Sequence, residues 1–238
     1  MRGTHLVPRI FSFYLGPRRE LFLGQALLLL NNSSYCRDLF AENPQTTCFE
    51  AADITLATFQ QLYHWISFDD PRQIAQDVAF RGLTRSAFAV QEMLKVCIAA
   101  WKLKCNAIED LLIGLLGIGY FRSGLSPSAE DIDLVFKETL GFDPVSRLCH
   151  YMSVSFNIRM MDWQNQPPEF LDVLTVARKH SKIQTDFFYM IGEAALKDGR
   201  IQKPRELMDY TICDFHTHSA GTGCWAAQHT FASHPFLG

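Results

Sequence analysis

Between Thr84 and Cys105 the apolar residues Ala87, Val90, Leu94, Cys97, Ile98, Trp101 and Cys105 recur at steps of three and four, with Lys95, Lys102 and Lys104 off that stripe. The spacing predicts an amphipathic helix over 84–105, buried at the centre of the fold. Similar apolar runs predict further helices at 19–31, 54–68, 71–81, 107–121, 127–140, 144–161, 168–180, 183–197 and 204–215. The punctuation agrees. Asp70-Pro71, Thr84, Ser126-Pro127, Asp143-Pro144 and Gln166-Pro167 each place a capping side chain or a first-turn proline ahead of an apolar run. Alternating strand patterns are nearly absent. The chain therefore reads as all-α: a multi-helix bundle with extended N- and C-terminal arms. Its expected divisions are a basic arm and helix at 1–52, a helical part at 53–104, a helical domain at 105–215 and an extended tail at 216–238.

Two stretches within 105–215 share one layout. "LLIGLLGIGYFRSGLSPSAEDIDLVF" and "FFYMIGEAALKDGRIQKPRELMDYTI" each run from an apolar helix through a small-residue turn, Ser123-Gly124 or Asp198-Gly199, into an acid-led second helix. Glycine supplies the left-handed conformation that ends a helix, and the following acids suit the next helix's N-terminus. Each stretch is predicted to be a helical hairpin, making two half-repeats.

Ala195, Asp198, Gly199 and Ile201 follow the "A-x-x-D-G-x-[IV]" turn of the TerB-like (tellurite-resistance) helical domain. Residues 105–215 resemble that domain, especially the version found in membrane-anchored DnaJ-type co-chaperones. The likeness implies a helical fold and a possible metal role for acids at the turns, here Asp198 and Glu206. Glu206 stands one place beyond the family's acid, a position held by Arg205, and Ser123 replaces the Asp of the first turn. Read from the residues alone, Asp198 is a turn former and Glu206 a helix-cap acid. Calcium fits poorly, because an EF-hand loop beginning at Asp198 would put Arg200 and Lys203 where an oxygen ligand and a glycine belong. The J-domain His-Pro-Asp motif is absent, so co-chaperone activity does not carry over.

Composition narrows the function class. Hydrophobic residues make up 48% of the 238, enough for a sizeable core, and 22 Lys+Arg against 25 Asp+Glu leave a net charge of −3. A nucleic-acid-binding surface normally carries a marked basic excess, so no nucleic acid is expected as a partner. The seven cysteines lack CxxC spacing and are expected as reduced thiols, with Cys97 and Cys105 acting as small core hydrophobes. Asn31 and Asn32 head N-x-S sequons but read as loop formers. The first 19 residues hold Arg2, Arg9, Arg18 and Arg19 and no acid, a bias shared with mitochondrial targeting segments. A mitochondrial location is the expectation, with the cytoplasm as the alternative. Neither "LFLGQALLLL" nor "LLIGLLGIGYF" reaches the ~20 apolar residues of a membrane span, so at most peripheral membrane proximity is expected.

The tail carries the candidate chemistry. "DFHTHS" places His216 and His218 in the His-x-His arrangement that opens the metal centres of PHP-type phosphoesterases and amidohydrolases. Those hydrolases complete the site on later barrel strands, and 20 residues follow His218. His216, His218, Cys224, His229 and His234 also offer a local zinc set, although without the tight paired spacing of zinc modules. Glu109 and Asp110 suit the first turn of a helix, and "GLLGIG" from Gly114 to Gly119 suits close helix packing better than a phosphate loop. His180 falls near a helix C-terminus, His150 reads as half-buried packing, and His64 sits in an aromatic-rich helix. The reading that follows is a non-catalytic helical interaction subunit of a larger assembly, docked by its termini and needing no cofactor. The alternatives are a metal- or stress-responsive TerB-like adaptor and a His-x-His hydrolase.

Overall fold

Phe11, Phe13 and Leu15 alternate with Ile10, Ser12 and Tyr14, and that period of two makes a strand, β1 (Ile10–Leu15), whose first set is fully buried. The turn Gly16-Pro17-Arg18-Arg19 reverses the chain. Gly16 takes a positive φ of 65°, and the Arg19 N–H donates to the Gly16 carbonyl at 3.0 Å. β2 (Glu20–Gln25) then pairs antiparallel with β1 in the register Phe13↔Phe22. Two short helices, α1 (Ala26–Asn32) and α2 (Ser34–Glu42), carry the chain across to β3 (Cys48–Ala51), which joins β1 in parallel with Phe13 beside Phe49. The sheet order is β2-β1-β3.

These strands correct the all-α expectation. The chain is mostly helical, with a small three-stranded sheet near its N-terminus. The expected helix over 19–31 is half strand, because "LFLGQALLLL" runs from β2 into α1 at Gln25 without a break in its apolar character. Residues 10–51, expected as part of a basic arm with one helix, form the whole sheet and its two crossover helices. Asn31 and Asn32 are the last residues of α1 rather than loop.

The computed structural model describes residues 10–68, 70–82, 86–123, 127–139, 146–161 and 170–181. Within them follow α3 (Leu56–Ile66), α4 (Pro71–Phe80), α5 (Ala87–Lys102), α6 (Asn106–Ser123), α7 (Ala129–Thr139), α8 (Arg147–Met161) and α9 (Phe170–Lys179). Seven of the expected helices thus appear, within a few residues of their expected bounds. Capping explains several starts: Thr55 accepts from the Thr58 N–H, Asp70 from Arg72 with Pro71 in the first turn, and Ser86 from Ala89. The expected helices 183–197 and 204–215 lie outside the described residues. The chain divides into two compact units, Met1–Leu112 and Ile113–Gly238, and the division falls within α6. No described helix is long and apolar enough to cross a membrane.

The end of α5 shows how the first unit is pinned. Lys104 adopts the left-handed conformation, φ 51°, normally filled by glycine. The Cys105 N–H then donates to the Ala100 carbonyl at 2.7 Å and the Lys104 N–H to that of Trp101 at 2.9 Å, closing a Schellman-type end. The carbonyls left over are met by the start of α2. Ser33 donates its hydroxyl to the Leu103 carbonyl at 2.6 Å while accepting from the Cys36 N–H at 3.1 Å, and the Ser34 N–H reaches the Lys104 carbonyl at 3.3 Å. Ser33 is buried, so one hydroxyl both caps α2 and fastens it to the end of α5. Ser33→Ala should therefore cost about 1–3 kcal/mol, the range for a lost cap that strands a buried acceptor. Equilibrium urea unfolding of the full chain checks this; an unchanged midpoint would show that the clamp contributes nothing.

Candidate interaction surface

The sheet has one filled face and one open face. Underneath, Phe13 lies 4.6 Å from Phe59 of α3 and 5.0 Å from Phe49, while Phe22 meets Phe59 at 5.0 Å and Tyr63 at 4.9 Å, centroid to centroid. Gly24 completes this face. A Cβ there would come within 2.9 Å of the Leu29 side chain and 3.0 Å of the Tyr63 ring, so a larger residue would force those side chains to shift.

Above, nothing among the described residues covers the strands to the same degree. Ile10, Leu21, Leu23 and Leu27 keep 53%, 54%, 57% and 64% of their surface exposed. The register places Ile10, Leu21 and Leu23 together on that face, while Leu27 belongs to α1, which follows β2. Leu23 lies across from Ser12, Leu21 from Tyr14, and Ile10 from Gln25, two residues before Leu27. At the turn end the strip is bounded by Arg19, which lies 5.1 Å above the Tyr14 ring and pairs with Glu50 of β3. Single exposed leucines need no explanation, but a contiguous set on one strand face marks a contact surface.

β2 is also an edge strand, and its outer side is open in part. The Gln25 N–H points away from β1 and donates to the Tyr63 hydroxyl at 2.9 Å. Backbone direction alternates along an antiparallel strand, so the N–H and C=O groups of Leu23 and Leu21 also face outward. No lysine or proline guards that edge.

The buried polar groups serve the interior. Trp65 donates its indole N–H to Asp77 Oδ2 at 2.8 Å, and Arg81 holds the other oxygen at 2.9 Å, which fixes α4 on α3. Glu109 and Asp110 do begin α6, as expected, but both are buried rather than solvated. Burial first, then these two acids, push the Cys97 thiol well up; burial likewise raises Cys36 and carries Cys105 up to about 12. Such thiols are poor nucleophiles.

In the second unit, Ser128 and Asp131 cap α7 reciprocally: the Ser128 N–H donates to Asp131 Oδ2 at 3.0 Å and the Asp131 N–H to Ser128 Oγ at 3.1 Å. The Tyr120 hydroxyl of α6 donates to the same carboxylate oxygen at 3.2 Å, while Asp131 Oδ1 is buried without a hydrogen-bond partner among the described residues. Burial pushes the Asp131 carboxyl up, partly offset by the bonds from Ser128 and Tyr120. His180, just after α9, sits 3.0 Å from Asp133 of α7 and against the Phe136 ring, matching its expected place at a helix end.

Of the residues with expected chemistry, Asp198, Glu206, His216, His218, Cys224, His229 and His234 lie outside the described residues. Among the described residues, no three His, Cys, Asp or Glu side chains gather as a metal site. His64 is exposed on α3 and meets the Phe68 ring edge-on; His150 is half-buried on α8. The sequence reading missed the open sheet face altogether, although the alternation of Phe11, Phe13 and Leu15 was its visible signal. No protein-family description, curated protein or solved structure matches this chain.

Two outcomes follow. Cys48 is exposed on β3, whereas Cys36, Cys97, Cys105 and Cys149 are buried. Brief alkylation of the native chain, mapped by peptide mass, should label Cys48 and spare those four until denaturant is added; equal labelling would contradict the packing. Asp131 gives a pH signature. Its folded carboxyl is raised, so the folded state holds this proton at a pH where the unfolded chain has lost it, and wild-type stability should fall as pH rises from the ordinary aspartate range through the raised value. Asp131→Asn should remove that decline while keeping an oxygen acceptor. Unfolding curves of both proteins across pH that run parallel would dismiss the assignment.

Proposed function

We propose that this chain is a non-catalytic interaction subunit that contacts other proteins through the open sheet of its first unit. The observation that carries the reading is the set of Ile10, Leu21 and Leu23 on one strand face beside an unguarded strand edge. Burying an apolar side chain of this size fully contributes about 1.5–3 kcal/mol, so a partner covering several of them gains enough to hold without any charged anchor. Three carboxylates of the described residues are consistent with the same reading, because Asp77, Asp131 and Asp133 each bond to a second element.

This proposal moves the contact surface from the termini, where the sequence suggested it, to the sheet. The pair α6 and α7, tied by Tyr120 and Asp131, supports a helical hairpin for the first half-repeat. A TerB-like character for 105–215 and a mitochondrial or membrane-associated assembly belong to the proposal as sequence expectations only.

Affinity purification of the tagged full chain, beside a Leu21→Lys/Leu23→Lys variant, tests it by quantitative mass spectrometry. Specific partner proteins should co-purify with the wild type and fall by about tenfold or more with the variant, the loss of roughly 1.4 kcal/mol or more. A partner set indifferent to the two lysines, or an absence of specific partners, would end the reading of the sheet as a surface for other proteins.

A further inference from the structure

We infer that the open edge of β2 pairs with β2 of a second copy of this chain, making a two-fold, six-stranded sheet. The inference rests on the reading of the sheet as a contact surface and names one occupant for it.

The argument begins with the backbone. Leu21 and Leu23 direct their N–H and C=O groups outward, as the Gln25-to-Tyr63 bond shows, and among the described residues neither has a hydrogen-bond partner on that side. An added strand satisfies them in the way any edge strand is satisfied. The sequence of β2 fits its own copy. In the antiparallel register that sets Phe22 against its symmetry mate, Leu21 faces the other copy's Leu23 as a hydrogen-bonded pair, twice over. Each two-fold pair joins exposed leucines on the open face. On the opposite face Glu20 falls across from Gly24, which has no side chain to oppose it. A two-fold contact of this kind uses the same patch on both copies and closes after two.

Area sets the strength. The leucine pairs and the two strand backbones bury roughly 600–800 Å² in total, short of the ~1,200 Å² of a standard stable interface. The dimer is therefore reversible and concentration-dependent, not obligate. Its outward leucines stay partly open, so the doubled sheet still offers an apolar face to a further protein.

Sedimentation velocity of the purified full chain over a wide concentration range tests the inference, alongside Leu21→Lys/Leu23→Lys. The expected result is a shift from one to two copies as concentration rises, weakened about tenfold or more by the lysines. Hydrogen exchange provides a second readout that does not need the variant: within 20–25, the outward amides of Leu21 and Leu23 should exchange more slowly in the concentrated sample than in the dilute one. A one-copy mass at every concentration would overturn the inference, as would growth beyond two copies or a dimer whose Leu21 and Leu23 amides are unaffected. A strictly monomeric chain that still loses partner proteins with the two lysines would end the β2 pairing alone and leave the interaction reading standing. A dimer without any partner protein would do the reverse.

Discussion

The contact between the inner face of the sheet and α3 is the constraint on which the first unit depends. Phe13, Phe22, Phe49 and Phe59 meet ring to ring at 4.6–5.0 Å, in tilted, edge-on and stacked arrangements. Three strands of four to six residues cannot hold themselves together in water. Their stability comes from the helix beneath, and the register of all three strands is fixed by which residues must point at it. A slip of one residue in β1 would send Phe11, Phe13 and Leu15 upward and leave α3 facing Ser12 and Tyr14. The open upper face is the complement of the same arrangement: having aligned the strand phenylalanines downward, the alternation leaves Ile10, Tyr14, Leu21 and Leu23 on top.

Within each unit the helices are joined by polar groups that each do two jobs. Ser33 caps α2 and holds the end of α5; Asp77 takes the Trp65 indole and the Arg81 guanidinium; Asp131 caps α7 and receives Tyr120. Sharing makes the consequences of a single substitution non-local, since losing one side chain uncaps one helix and frees another.

Helices from α3 onward were legible because each element carries its own evidence: a cap, a proline, a period of three to four. Asp70-Pro71 and the stripe through Val90, Leu94 and Cys97 suffice without reference to the rest of the chain. The sheet was hidden for the opposite reason. β2 is exposed on one face and ends in glycine and glutamine, so its apolar residues merge with the leucines of α1 into one unpunctuated run. β3 has four residues and gains meaning only beside β1. A parallel pairing is invisible locally, because the partner lies on the far side of two helices. The interaction surface inherited that blindness, being defined by the outward residues of strands that had not been recognised. The histidine tail, conspicuous in sequence, lies outside the described residues.

The β2-β1-β3 order has a temporal side. β1 meets β2 across a four-residue turn, but meets β3 only after everything from Gly16 to Thr47 has been traversed. Closing the longer loop costs more entropy and, in a chain made from its N-terminus, must wait for more residues. Until β3 arrives, β1 has an unsatisfied edge of its own, and Phe49 and Phe59 are not yet present to cover Phe11 and Phe13. The hairpin is therefore most adhesive while it is still being completed, and the strand that finishes the sheet is also the one that takes the nascent chain out of that vulnerable interval.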